Sequence, residues 1–368
     1  MDHLRYSDAV HQKPVVVWNS TRQCNLHCVH CYSKSENKLY PNQLTTPEAK
    51  AFIEDLAEFS TPVLLFSGGE PILRNDLFEV AHLASIKGIR VVLSTNGTLI
   101  TENVAKQLKN SGFSYVGVSL DGIGETNNKF RGKENAFDLA VAGIRNCIKV
   151  GVKPGLRFTV TKHNVKDLPK IFDFIEAEKI PRACFYHLAY VGRGTAMAKD
   201  DLTHQQTRDV MDYILTKTEE FHQKQLGAEI LTVDNHADAA YLFLKLQEKD
   251  RQKAEDVLRL LKTNKGNSSG KGIACVDSTG YVHPDQFWQH YSLGNIRERR
   301  FSEIWSDNSE PLLRGLRNRK EHLEGKCRQC RFLDICNGNL RVRAEAIYND
   351  IWAPDPACYL TPQEIAPV

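Results

Sequence analysis

The chain has 368 residues, 41% of them hydrophobic and 25% charged, the balance of a folded globular protein rather than a disordered one. Forty-eight Lys and Arg against 45 Asp and Glu leave a net charge of +3, too even for a general nucleic-acid binder. The longest apolar runs, VVVW at 15–18 and VLLF at 63–66, fall far short of the ~20 residues that span a bilayer, so neither nucleic acid nor membrane is expected as a partner.

Residues 1–13 read as an N-terminal tail without a secretory core, which places the protein in the cytoplasm. From residue 14 short β-branched runs alternate with amphipathic stretches. Strands are predicted at 15–18, 63–66, 90–94, 115–120, 156–161 and 183–188. Helices are predicted between them at 47–59, 76–87, 102–110, 136–150 and 166–178. Thr46, Asn75 and Thr101 stand where N-caps are expected, and Gly88, Gly112 and Gly151 where left-handed helix ends are expected. The repetition predicts parallel strands in right-handed crossovers, an α/β fold. Six units fit, where a closed barrel needs eight, so the expected architecture is a partial (β/α)6 barrel of the TIM type over 14–202. A helical connector follows at 203–265, with helices at 203–225 and 237–262. TNKGNSSGKG at 263–272 reads as a flexible linker. Residues 266–368 read as a small irregular Cys-rich domain, too loosely patterned for a large core and in need of a metal staple.

Ten cysteines in a chain without a secretory signal point to metal rather than to disulfides. Seven cluster: Cys24, Cys28 and Cys31 near the start, and Cys327, Cys330, Cys336 and Cys358 near the end. Cys147 and Cys184 read as packing residues, and Cys275 stands alone. CNLHCVHC follows the first strand, and three thiolates in one loop suit three irons of a cubane with the fourth left open. Zinc with His27 or His30 as fourth ligand stays open on spacing alone. SGGEP at 67–71, STNG at 94–97 and SLDG at 119–122 follow the next three strands, and Arg157 lies on the fifth. Each alone is an ordinary βα turn. Four in succession around one mouth mark a site.

CxxxCxxC after the first strand and GGEP after the second resemble the radical S-adenosylmethionine (SAM) superfamily over residues 14–200. That resemblance implies that Cys24, Cys28 and Cys31 ligate a [4Fe–4S] cluster whose open iron is chelated by SAM. It places Gly68, Gly69 and Glu70 at the SAM amino group, Ser119 and Asp121 near the ribose, and Arg157 at the carboxylate. Asn96 lines the same mouth, and Tyr32 takes the usual aromatic position. An electron from the reduced cluster would cleave SAM to methionine and a 5′-deoxyadenosyl radical. A flavodoxin- or ferredoxin-like protein would donate that electron.

CRQCRFLDIC at 327–336 with Cys358 resembles the SPASM-type extension, which implies a second, auxiliary [4Fe–4S] cluster on Cys327, Cys330, Cys336 and Cys358. A four-cysteine zinc knuckle is the alternative. Asp285 stands where a full SPASM pattern has cysteine. FYHLAYVGRG at 185–194, GYVHPDQFW at 280–288 and CRFLDICNGNLRVRA at 330–344 resemble the radical SAM enzymes of haem d1 biosynthesis. The implied substrate is an iron-containing tetrapyrrole, 12,18-didecarboxysirohaem, and the implied reaction is removal of its propionate side chains. Relatives in the sirohaem-dependent haem pathway act on acetate groups instead, and other SPASM enzymes mature ribosomal peptides. A redox-inactive, zinc-stapled binding protein is the alternative from another class. Arg193, Arg341 and Arg343 are candidate partners for substrate carboxylates, and His187, His283 and His290 for its iron, although a structural role is the commoner fate of each.

Overall fold

The computed structural model describes residues 13–367, so most of the expected N-terminal tail lies outside the described residues. Strands β1 (Val15–Thr21), β2 (Val63–Gly68), β3 (Arg90–Thr95), β4 (Phe113–Ser119), β5 (Pro154–Val160) and β6 (Arg182–His187) pair in sequence order, all parallel. Helices α1 (Thr46–Glu58), α2 (Leu77–Ile86), α3 (Glu102–Asn110), α4 (Glu125–Arg131), α5 (Ala136–Val150) and α6 (Leu168–Ala177) lie in the connections. This is the expected α/β partial barrel. Val16, Trp18, Leu64, Phe66, Leu93, Val116 and Phe158 point outward from the strands and are buried with Phe52, Ile53 and Leu56 of α1. Alternate residues such as Leu65, Ser94, Ser119 and Arg157 face inward, where the barrel is hollow rather than filled by layers of side chains.

The sheet runs further than the sequence pattern. A seventh parallel strand, β7 (Glu229–Val233), pairs with β6 after the 20-residue α7 (His204–Gln223). At the other edge β8 (Ile273–Val276) pairs parallel to β1, and β9 (Tyr281–His283) and β10 (Gly294–Asn295) follow antiparallel. The C-terminal segment therefore shares the main core, through Val276, Val282, Phe301, Ile304, Trp305 and Leu313. The expectation of a region without a large core is corrected accordingly.

Two further expectations change. The single helix at 237–262 is two, α8 (Ala237–Lys249) and α9 (Arg251–Asn264), because Asp250 is extended and its carboxylate accepts from Lys253 N at 3.0 Å, capping α9. The segment 263–272 is not a flexible linker. Asn267 and Ser269 are buried, and the guanidinium of Arg319, 1% exposed, donates to Asn267 Oδ1 and Ser269 O, both at 2.7 Å. Small residues there allow close packing, not mobility. Among the caps, Thr101 is as expected, whereas Thr45 rather than Thr46 caps α1 in a capping box with Glu48, and Asp76 precedes α2. Gly88, Gly112 and Gly151 all have positive φ.

Candidate active site

The C-terminal ends of the strands converge on a single cavity. Cys24, Cys28 and Cys31, on the loop after β1, form one wall. The loop is seated by the turn after β2. Gly69 N donates to Thr21 O at 2.7 Å and Glu70 N to Gln23 O at 2.8 Å. Only glycine permits this approach, since a Cβ would lie 2.3 Å from Thr21 O at Gly68 and 2.1 Å from Gln23 O at Gly69. Those amides are spent on the loop, and Gly68 O takes only a long bond from Ser33 Oγ at 3.4 Å, so the turn's carbonyls retain acceptor capacity.

Glu70 is fully buried behind this wall. Its oxygens accept from Asn96 N at 2.8 Å, Thr95 Oγ1 at 2.7 Å and Ile72 N at 3.2 Å. Burial pushes its carboxyl up to about 7 against those hydrogen bonds. Asn96 lines the cavity and donates to Asn25 Oδ1 at 2.8 Å, fastening the cysteine loop to the end of β3. Ser119 and Arg157 line the cavity directly. Arg157 donates to Ser94 Oγ and lies 4.8 Å from the Tyr186 ring centre, and no carboxylate pairs with it among the described residues. Asp121 stands behind the lining. It holds Arg131 in an ion pair and accepts from Thr159 N at 2.6 Å.

Sequence reasoning missed Arg131, whose Nη1 donates to Cys28 Sγ at 3.6 Å, and Asp234, which follows β7 and lines the cavity. Recognising EILTV as a strand would have found Asp234, since barrel chemistry collects at strand ends. Arg341 and Arg343 do not face the cavity. Both are fully buried, with Arg341 on the carbonyls of Ile351, Ala353 and Gly338, and Arg343 paired with Asp355. They tie chain segments together, which corrects their reading as substrate contacts. Arg193 likewise donates to Cys28 O at 2.7 Å and Ser35 O at 3.0 Å.

None of the ten cysteines is in a disulfide. Burial, then Glu70, pushes the Cys24 thiol up to about 12. The Cys28 thiol is raised by burial and opposed by Arg131. In the second set, burial raises Cys336 most, and Cys358, Cys327 and Cys330 add to it, so four thiols separated by up to 31 residues gather within electrostatic reach. Among the described residues no three His, Cys, Asp or Glu side chains lie close enough for one ion. The donor sets suit a cubane, whose irons at separate corners take spread thiolates. His27 is exposed, and His30 turns Nε2 towards Asp121 at 3.6 Å. Cys275 belongs to neither set: it is buried on β8 and accepts from Asn19 Nδ2 at 3.4 Å. Asp285, 2% exposed, accepts from Ser269 Oγ and from Phe287 N.

Comparison with known proteins agrees with this geometry. The radical SAM superfamily pattern matches residues 18–175, and that of SPASM, an iron–sulfur cluster-binding domain, matches 268–331. Fe-coproporphyrin III synthase of Methanosarcina barkeri is 57% identical over 357 residues, covering 96% of this chain and 90% of that protein. Pre-heme d1 synthase of Dinoroseobacter shibae is 41% identical over 355 residues, covering 96% and 87%. The crystal structure of Streptococcus suis SuiB bound to S-adenosylmethionine shares the fold with a TM-score of 0.75 at 20% identity, over 95% of this chain and 78% of SuiB. No described helix is long and apolar enough to cross a membrane. The chain belongs to the haem-synthesis branch of the radical SAM superfamily, as an enzyme whose cofactors are SAM and iron–sulfur clusters.

Proposed function

We propose that this enzyme trims acid side chains from an iron tetrapyrrole, removing the two remaining acetate side chains of 12,18-didecarboxysirohaem as two-carbon units on the way to Fe-coproporphyrin III. The observation that carries this choice is the 57% identity to Fe-coproporphyrin III synthase, sustained over nearly the whole chain, against 41% for pre-heme d1 synthase. It favours the acetate reaction over the propionate removal expected from short sequence strings. Propionate removal is the second reading, carried by that 41%.

Cys24, Cys28 and Cys31 hold the SAM-binding [4Fe–4S] cluster in this reading, and Cys327, Cys330, Cys336 and Cys358 the auxiliary one. Bound at the first site, SAM and the reduced cluster supply a hydrogen-abstracting carbon radical. The protein's part is placement. The carbonyls of the Gly68–Gly69 turn accept the SAM amino group, with Glu70 as the buried strut that fixes the turn. Arg157, lacking a carboxylate partner of its own, receives the SAM carboxylate. Ser119 faces the ribose, Asn96 keeps the cysteine loop closed over it, and Asp121 acts from behind through Arg131. Asn96 and Arg131 also point N–H groups at Cys24 Sγ (3.9 Å) and Cys28 Sγ (3.6 Å), which tunes a cluster's potential. A cytoplasmic location and a flavodoxin- or ferredoxin-like donor complete the proposal.

The test is an anaerobic incubation of reconstituted enzyme with SAM, dithionite and 12,18-didecarboxysirohaem, read by mass spectrometry. Loss of two-carbon acid units supports the acetate reaction. Loss of three-carbon acid units replaces it with the propionate reaction, and an unchanged tetrapyrrole with SAM still cleaved sinks both.

A further inference from the structure

One histidine differs from the others that the sequence offers for an iron-bearing substrate. His187 ends β6 and lines the cavity. Its Nε2 lies 2.9 Å from Asp238 Oδ2, and Asp238 Oδ1 accepts from Tyr359 Oη at 2.8 Å. Asp238 and Tyr359 are both buried, so the ring is braced by a carboxylate that is itself braced. Nδ1 makes no hydrogen bond among the described residues. The main chain around the pair is pinned as well: Arg343 donates to Leu188 O at 3.1 Å and to Asp234 O at 2.6 Å while paired with Asp355. By contrast His283 spends Nδ1 on Tyr291 O at 2.7 Å, and His290 bonds Glu345 and stacks on Trp288 outside the cavity.

A carboxylate behind one imidazole nitrogen fixes the tautomer and raises the basicity of a metal-ligating histidine. In the neutral tautomer that Asp238 favours, with the proton on Nε2, the ring has a lone pair at Nδ1. Neither cysteine set uses this donor. We propose that His187 Nδ1 is an axial ligand to the iron of the tetrapyrrole substrate, with Asp238 as the positioning residue behind it. The inference rests on the tetrapyrrole reading above. The bond is dative, is made by the neutral ring and changes no oxidation state. It would fix the distance of a flat macrocycle from the SAM site, which contacts with the ring faces alone set poorly.

The test uses the reconstituted holoenzyme, titrated anaerobically with iron coproporphyrin III and, in parallel, with metal-free coproporphyrin III, read by visible absorption and electron paramagnetic resonance. Wild type is expected to shift the iron porphyrin spectrum on binding. His187→Ala should remove that signature and weaken iron porphyrin binding by about 10–100-fold, while metal-free porphyrin binds as before. Asp238→Asn should weaken the same signature without abolishing it. An iron spectrum unaffected by His187→Ala, or an equal loss for both porphyrins, overturns the ligand assignment and leaves the substrate reading standing. Wild type that binds neither porphyrin overturns the substrate reading and the assignment together.

Discussion

Replacing Gly69 by alanine tests how the cysteine loop is seated. The new Cβ would lie 2.1 Å from Gln23 O and 2.8 Å from Arg22 O, both main-chain atoms that no rotamer change can move. The loop and the turn must separate by roughly 1 Å to reach ordinary contact distance in a close-packed interior. That shift breaks Gly69 N–H to Thr21 O (2.7 Å) and Glu70 N–H to Gln23 O (2.8 Å). Two such bonds are worth about 2 kcal/mol net, and a donor left buried and unpaired adds about 1–3, a total of about 3–5 kcal/mol. Against the ~5–15 kcal/mol that holds a domain folded, this is a large share. Anaerobic denaturant titration with parallel iron and sulfide analysis measures both consequences. The expected result is a lower unfolding midpoint and loss of iron from the first site, with the auxiliary site still loaded. A Gly69→Ala protein with full iron content and an unchanged midpoint would refute the close approach as the reason for glycine.

Other expectations follow from the same geometry. Arg343→Met should destabilise by about 3–5 kcal/mol by stranding buried Asp355, and pairing it with Asp355→Leu should recover part of that, as thermal unfolding would show. Arg297, on the exposed surface, reaches from the C-terminal segment to Glu48 at 2.6 Å, and chiefly its hydrogen bond lowers the Glu48 carboxyl from 4.5 to about 2. A depressed carboxylate stabilises the fold above its unfolded value and loses that contribution as pH falls from about 4.5 towards 2. Discounted for solvent, Arg297→Ala should cost about 1 kcal/mol at neutral pH and nothing at the acid end, and an equal cost at both would exclude the ion pair. Changing Cys24, Cys28 and Cys31 together to alanine should abolish SAM cleavage, measured as methionine release. Cys327→Ser should remove about half of the iron while leaving the first cluster's spectrum in place.

Much of the fold was legible because its signal is local. Strands and helices of the six barrel units show in periodicity, and Thr101 and the glycines at 88, 112 and 151 punctuate them as expected. β7 escaped because five residues, four of them half-buried and Glu229 exposed, make a short signal with little periodicity between two helices. Asn267 and Ser269 misled because small polar residues look alike whether solvated or packed, and burial beside Arg319 came from a residue some fifty positions away.

The sequence by itself determined the chemistry that lies within one loop or turn. The spacing of Cys24, Cys28 and Cys31 and the glycine pair at 68–69 need only neighbouring residues to be recognised, because the chain itself holds them close. Tertiary structure alone decided which distant side chains are used up and which stay available. It buried Arg341 and Arg343 among carbonyls and a carboxylate, and it brought Cys358 to Cys336. It also set Asp238 and Tyr359 behind His187, partners 51 and 121 positions apart along the chain. Such pairings follow from where the ends of β6 and β7 meet the C-terminal segment, and no local pattern records where separate segments come together.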